Sequence, residues 1–328
     1  WLHPGDVFWM CMTSASTSRV ATTHKLERAR PDLFQRSDAI GLRHLCGHLS
    51  LLALTAAALA VCCTTASALA GRCWPLAVLA HSVVLSHLYM PFHESTHGTA
   101  FESAWLCQLV AWPLGLLIFM NADSFKWFHR EHHEFTQVWA RDPELPGANG
   151  SLRNYLNKLL GGEMAVALYH FCRSAALGER AEGPWVPPHA RRGVVASTRV
   201  QSAAYVACAL LALASPAARH WLVRLWLLPL LLGQPALWGH FIAQHTSTDH
   251  DCDARHTARV VLTHPAYEWL SWGMNYHAVH HMHPRVPFHQ LRRAFDATRR
   301  ELRHVEERGY LRAHTAVVRA ALDRPASL

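Results

Sequence analysis

Charge is what this sequence has least of. Asp, Glu, Lys and Arg make up 16% of its 328 residues, against about 25% in ordinary soluble domains. The shortage is concentrated. Five stretches, 49–70, 73–92, 104–122, 200–218 and 225–248, hold none of the four. Roughly 20 apolar residues cross the hydrocarbon core of a bilayer as a helix, and each stretch is near that length. A water-soluble globule is therefore excluded, and an integral membrane protein is expected. The nine cysteines contain no C-x-x-C pair. Cys62, Cys63, Cys107 and Cys208 lie inside apolar stretches, which reads as reduced, apolar filler and not as a disulfide scaffold. A cleavable signal peptide is not expected, because the first apolar stretch is too long and too far in. No internal repeat is evident. Of the paired Glu-x-x-His motifs that a carboxylate-rich two-metal site would need, only Glu94 to His97 is a convincing one.

The net charge of +8 would suit nucleic acid, but its distribution follows the positive-inside rule better. Of 31 Lys and Arg, 28 fall in residues 1–48, 123–199 and 246–328; the short connections hold only Arg72, Arg219 and Arg224. Both termini and the long middle segment are expected in the cytoplasm. Leu49–Ala70 and Cys73–Phe92 then form one hairpin, turning at Gly71-Arg72. Val200–Ala218 and Leu225–His245 form another, with Pro229 and Pro235 as kinks. Ala104–Ala122 carries Pro113-Leu-Gly115 at its middle, where a straight helix suffers most. It is expected to be re-entrant or interfacial, because a crossing would put the histidines on its two sides on opposite membrane faces. Tyr155–Leu177 is amphipathic and is expected to lie in the interface. The predicted fold is all-α: four transmembrane helices in two hairpins, re-entrant or interfacial helices, and a cytoplasmic cap. The predicted parts are an N-terminal segment (1–48), a membrane domain (49–290) and a basic tail (291–328), with Phe288–Leu322 as a surface helix. His3-Pro-Gly-Asp6 faintly resembles a cytochrome b5 haem motif, but is expected to be a turn.

Histidine is abundant, with 26 residues, and it is patterned. His277-Ala-Val-His280-His281 places three imidazoles at i, i+3 and i+4, one face of a helix. His129-Arg-Glu-His132-His133 repeats the pattern. His93-Glu-Ser-Thr-His97 pairs two at i, i+4. The topology brings these eight together with His245. One zinc takes three or four ligands, so eight or nine imidazoles suit two metals of four or five ligands each, of iron, zinc or copper. The ligands must be neutral, so metal retention should fail as they protonate. Glu94, Glu131, Glu134, Asp142, Asp249 and Asp251 are candidates to hold the second ring nitrogens. His81, His87 and His240 are expected to pack, and His250, His256, His264, His283 and His289 to be loop or outer groups. Asn275 and Tyr276 either steer the last cluster or simply pack. Two other readings compete. His93-Glu94-Ser-Thr-His97 is literally the HExxH of zinc metalloproteases, and His-rich loops also serve metal transporters. The first leaves about six histidines unexplained. The second expects ligands at the bilayer midplane.

The three clusters, their order and their placement after paired apolar stretches resemble the integral-membrane fatty acid desaturase superfamily. The resemblance rests on His93-Glu-Ser-Thr-His97-Gly98, on Phe128 to Gln137 with Asp142-Pro-Glu-Leu145, and on Asn275 to His289, whose Pro284-Arg-Val-Pro287 follows the last box. It covers about residues 45–295. Gln244-His245-Thr246 is similar to the extra ligand before the last box, with Gln244 where an acidic neighbour is usual. The resemblance implies a non-haem di-iron centre held by His93, His97, His129, His132, His133, His245, His277, His280 and His281. It also implies O2 as co-substrate, a lipid or acyl substrate, and an external donor of ferredoxin, rubredoxin or cytochrome b5 type. Fatty acyl desaturation is the expected reaction, with lipid or carotenoid hydroxylation or ketolation as the alternative.

Overall fold

The computed structural model describes residues 24–145, 151–250 and 253–322; His3-Pro-Gly-Asp6 and Asp251 lie outside them. Helix dominates the described residues, beside one parallel ladder of β1 (Val260–Val261) with β2 (Val305–Glu306). Four helical segments are long and apolar enough to cross a bilayer: Asp38–Thr64, Ala68–His97, Pro188–Ala214 and Pro216–His245. The all-α membrane fold with four such helices is therefore present, but its turns differ from expectation.

Helix α1 (Asp38–Thr64) starts at Ser37, whose Oγ accepts the Ile40 N–H at 3.3 Å. Helix α2 (Ala68–Ser86) starts at Ser67, whose Oγ accepts the Ala70 N–H at 3.1 Å. The first turn is thus residues 65–67, and Gly71-Arg72, expected as the turn, lie inside α2. A serine cap satisfies orphan backbone N–H groups, whereas an interior glycine costs a helix only about 1 kcal/mol. The second hairpin behaves alike. Helix α8 (Pro188–Ala214) stops at Ser215, which caps α9 (Pro216–Leu222) through the Ala218 N–H at 3.2 Å. Pro216 fills the first helical turn, where its missing N–H costs nothing. Arg219 and Arg224 consequently lie within the last span. That span continues through a π-helical stretch (Val223–Leu227), α10 (Leu228–Leu232) and α11 (Gln234–His245). The π stretch ends just before Pro229, where wider turns absorb the missing donor. Gly233 is required by contact: a Cβ there would lie 2.3 Å from the Ser82 carbonyl of α2.

Past Ser86 the second span continues as α3 (Tyr89–His97) and stops at Gly98, which is left-handed at φ +72°. Only glycine adopts that conformation without strain. Helices α4 (Ala104–Leu117) and α5 (Ala122–Phe135) follow, inclined at 99°. The bend is not at Pro113, which α4 accommodates, but at residues 118–121. There the chain folds back so tightly that a Cβ on Gly115 would sit 2.4 Å from the Met120 carbonyl. Asn121 then caps α5, accepting the Ser124 N–H at 2.9 Å, and donates to Ser197 and Gln201 of α8 at 3.0 Å each. His93 on α3 and His129 on α5 meet at 2.7 Å. A crossing between them would separate the two by the bilayer core, about 30 Å, so the α4–α5 pair returns to the level it left.

The expected interfacial helix is two, α6 (Leu152–Leu159) and α7 (Gly162–Leu177), broken at Gly161, φ +84°. Leu152, Leu156, Leu160 and Val166 are exposed on this pair. The tail is not one surface helix either. After α12 (Pro265–Leu270) and α13 (His277–Met282), it forms α14 (Leu291–Thr298), β2 and α15 (Tyr310–Leu322). Leu291, Ala294 and Phe295 lie in the main core, so only the arginine face of α14 is solvated. The apolar residues recurring every three or four positions decide this over the charge count.

Labels from a membrane-impermeant reagent should reach a tag at Ser67 and a tag at Glu179 from opposite sides. Both tags labelled from one side would overturn the four-span assignment.

Candidate metal centre

Burying an imidazole leaves two nitrogens to satisfy. In this protein the outward nitrogens of His129, His132, His245 and His281 hold protein groups, and the inward nitrogens of all nine candidates converge. His93, His97, His129, His133 and His280 each bring one nitrogen within 4.8 Å of the others; His132, His245, His277 and His281 do the same. The nine histidines picked out by the sequence are thus divided, without remainder, into a group of five and a group of four. Their elements explain the convergence. On α5, His129 and His133 share one face and His132 lies on the next, so one short helix serves both groups. On α13, His280 joins the first group while His277 and His281 join the second.

The tautomers can be read from the outward partners. His129 Nδ1 donates to Glu144 Oε1 at 3.1 Å, and His132 Nδ1 to Asp142 Oδ1 at 2.8 Å. Thr136 spends its hydroxyl hydrogen on the His132 carbonyl at 2.6 Å, so its oxygen accepts from His281 Nδ1 at 3.1 Å. His245 Nδ1 donates to the Thr257 carbonyl at 3.2 Å. Each of these rings therefore turns a lone pair inward at Nε2. His129 Nε2 lies 2.7 Å from His93 Nε2 and 3.0 Å from His133 Nε2. His277 Nε2 lies 2.7 Å from His245 Nε2 and 3.0 Å from His281 Nε2. The buried Nε2 atoms of His97 and His280 have no hydrogen-bond partner among the described residues. Converging lone pairs repel unless a cation lies among them, so the donor set fits two metal ions, and its all-nitrogen character fits iron, zinc or copper. Burial, then neighbouring imidazoles, holds His277, His280 and His281 well below the usual imidazole pKa, which keeps them neutral and able to ligate.

Of the expected carboxylates, Asp142 takes its place against a ligand. Burial opposes its ionised form, but His132 and the Gln137 and Glu144 backbone N–H groups outweigh that and lower its pKa. The others serve elsewhere. Glu94 is fully buried and accepts the Phe288 N–H at 2.9 Å, tying α3 to the loop after the last box. Glu131 pairs with Arg141, Asp249 with Arg303, and Glu134 is exposed. The sequence reading missed Glu144, Thr136 and Thr257. Glu144 could have been found in the same Asp142-Pro-Glu144 run; nothing local signals the two threonines.

His81, His87 and His240 pack, as expected. His81 bonds Thr55 and the Leu225 carbonyl, His87 bonds the Val83 carbonyl and Tyr267, and His240 bonds Tyr310. Gln244 meets His240 and the Met274 carbonyl at 2.6 Å each, so it braces the turn before α13. Asn275 donates to the Val261 carbonyl at 3.2 Å and Tyr276 to Glu268 at 2.9 Å. Phe125 stacks on His129 with ring centroids 4.9 Å apart, and Tyr89 stacks on His93 at 5.9 Å. The aromatic group continues through Phe92 and Phe241.

A family model described as "Fatty acid desaturase" matches residues 72–310. No curated protein matches the chain.

Removing an outer partner of a metal-bound histidine typically weakens metal binding about 10–100-fold. Asp142→Asn should therefore weaken metal retention by about that factor during chelator titration of the purified protein, with helix content unchanged. Retention equal to wild type would show that Asp142 does not orient His132.

Proposed function

The chain belongs to the fatty acid desaturase family, and on that premise we propose that it is a non-haem di-iron enzyme that desaturates a fatty acyl chain. Membership makes it an oxidoreductase of the desaturase and hydroxylase type in a membrane. The finer reading is supported above all by one observation: nine largely buried imidazoles, from four separate chain segments, converge in groups of five and four. The proposed ligands are His93, His97, His129, His133 and His280 for one iron, and His132, His245, His277 and His281 for the other. When bound, the iron pair supplies the oxidising power of O2 toward an unactivated C–H bond.

The balance fixes what else is needed. Removing two hydrogens from a –CH2–CH2– unit while O2 becomes two waters takes two further electrons and two protons. An external donor of ferredoxin, rubredoxin or cytochrome b5 type would provide the electrons. Hydroxylation or ketolation of a lipid or carotenoid needs the same centre and donor, and is the second reading within the family. The protein's part in either is positioning and exclusion of water. Stacking of Phe125 on His129 and Tyr89 on His93 puts apolar rings against the first group, the environment an acyl chain requires. The boxes, both termini and the long middle segment are proposed to face the cytoplasm, following the Lys and Arg distribution. The rival HExxH protease would use His93 and His97 and leave the other seven converging imidazoles without a role.

Purified protein should contain about two irons per chain, and His280→Ala should lose iron and acyl desaturation together while still inserting in the membrane. Lipid profiling of cells expressing each form reads the second part. One zinc without iron would sink the proposal, as would full activity in His280→Ala.

A further inference from the structure

Three of the four histidines in the second group are held at Nδ1, and the fourth is not. Asp142, the Thr257 carbonyl and Thr136 hold His132, His245 and His281. His277 Nδ1 is buried with no hydrogen-bond partner among the described residues. Its Nε2 still lies 2.7 Å from His245 Nε2. With no hold on the ring, its position is set by the backbone, and that backbone is gripped three residues earlier. Gln244, beside His245 at the end of α11, donates from Nε2 to the Met274 carbonyl at 2.6 Å. A carbonyl only accepts, so the amide must present its N–H there. The same Nε2 lies 2.6 Å from His240 Nε2, so its second hydrogen goes to that ring. His240 then carries its own proton on Nδ1 and donates to the Tyr310 oxygen at 2.8 Å. Tyr267 lies 3.2 Å from the same Nδ1 and 3.1 Å from His87 Nε2. His87 Nδ1 donates to the Val83 carbonyl at 2.8 Å, so its Nε2 accepts the Tyr267 hydroxyl hydrogen. Gln244, His240 and His87 are each 1% exposed or less. One buried network thus fixes the Gln244 amide from α2, α12 and α15. The end of α11 is pinned as well: Arg259 donates to the Ala243 and Thr246 carbonyls, and Gln137 to that of His245.

We propose that Gln244 is the positioning residue for His277, standing in for the partner its ring lacks, and that it serves the four-histidine site alone. The inference rests on the two-metal reading above. Gln244 and His245 are neighbours on one pinned helix end, so the amide sets the start of α13 against the ligand it has to meet. The selectivity follows from where α13 is held. His277 is its first residue, next to the Met274 grip. The far end, which carries His280 of the other group, is secured separately, through Thr136 on His281 and Glu94 on the Phe288 N–H. Losing the Gln244 donor therefore frees His277 and leaves His280 in place. A carboxylate of the same size cannot replace the amide, because its oxygen would face the Met274 carbonyl.

The test is iron content under chelator titration, with Mössbauer spectroscopy, of the full-length protein in detergent. Wild type is compared with Gln244→Met, Gln244→Glu and Gln244→Asn, and with His97→Ala and His245→Ala as references impaired in one group each. Gln244→Met keeps the length of the side chain and loses both donors. One of its two irons should be held about 10–100-fold more weakly than in wild type, and the spectrum of the iron that remains should match that of His245→Ala. Gln244→Glu should lose the same iron at least as readily. Gln244→Asn keeps the amide on a shorter stem and should weaken the same iron by less; it carries the test if the other two do not fold. Wild-type retention of both irons in the variants that fold would overturn the assignment. So would loss of both irons in parallel, the mark of a packing role only, or a remaining spectrum that matches His97→Ala. Wild type without two irons would instead overturn the two-metal reading itself.

Discussion

The tautomer of a buried imidazole is fixed where one ring nitrogen is held by an outward partner. That constraint sets four of the nine histidines. The partners of His129, His132, His245 and His281 are a glutamate, an aspartate, a backbone carbonyl and a threonine whose own hydrogen is spent elsewhere. Each fixes a tautomer as well as a ring orientation. Four of these contacts lie in the loops after α5 and α11, so these loops carry as much of the site as the helices do. The left-handed residues Gln137 and Ala140 mark how sharply the first loop turns. Gln137 also ties it to the end of α11 through the His245 carbonyl at 2.8 Å.

The membrane helices set the level at which this can happen. The nine imidazoles come from the ends of α3, α5 and α11 and from α13, and the first three must finish at one depth. The second and fourth long segments achieve it by returning from short, serine-capped turns. The α4–α5 pair achieves it by not crossing, and Gly115 permits the fold-back where any side chain would strike the Met120 carbonyl. Metal bound by their lone pairs would offset the cost of so many buried polar rings and would link metal affinity to the stability of this region.

Two unequal groups beside an apolar scaffold divide the chemistry plainly. A metal pair held there would supply redox power, and the chain would supply ligand basicity, shape and dryness. Asp142 and Glu144 lie two residues apart in sequence and act on different sites. A short acidic run therefore reaches a histidine of each group at once, which two separate loops could do only with independent positioning.

The sequence by itself determined the membrane class, the approximate position of the four spans and the nine histidines. Those follow from local quantities: the length of uncharged runs and the i, i+3, i+4 spacing. It also showed that Ala104–Ala122 should not cross, since crossing would part His93 from His129. It misjudged where elements end, because a serine cap at Ser67 or Ser215 outweighs a glycine or arginine a few residues on, and it read the tail by its arginines when Leu291 and Phe295 face the core. Only the tertiary structure decided which imidazole belongs to which group, since His132 and His133 are adjacent in the chain yet face different partners. Only it, too, found Glu144, Thr136 and Thr257. Their roles depend on distances between segments up to 145 residues apart, and no spacing rule within one segment carries that information.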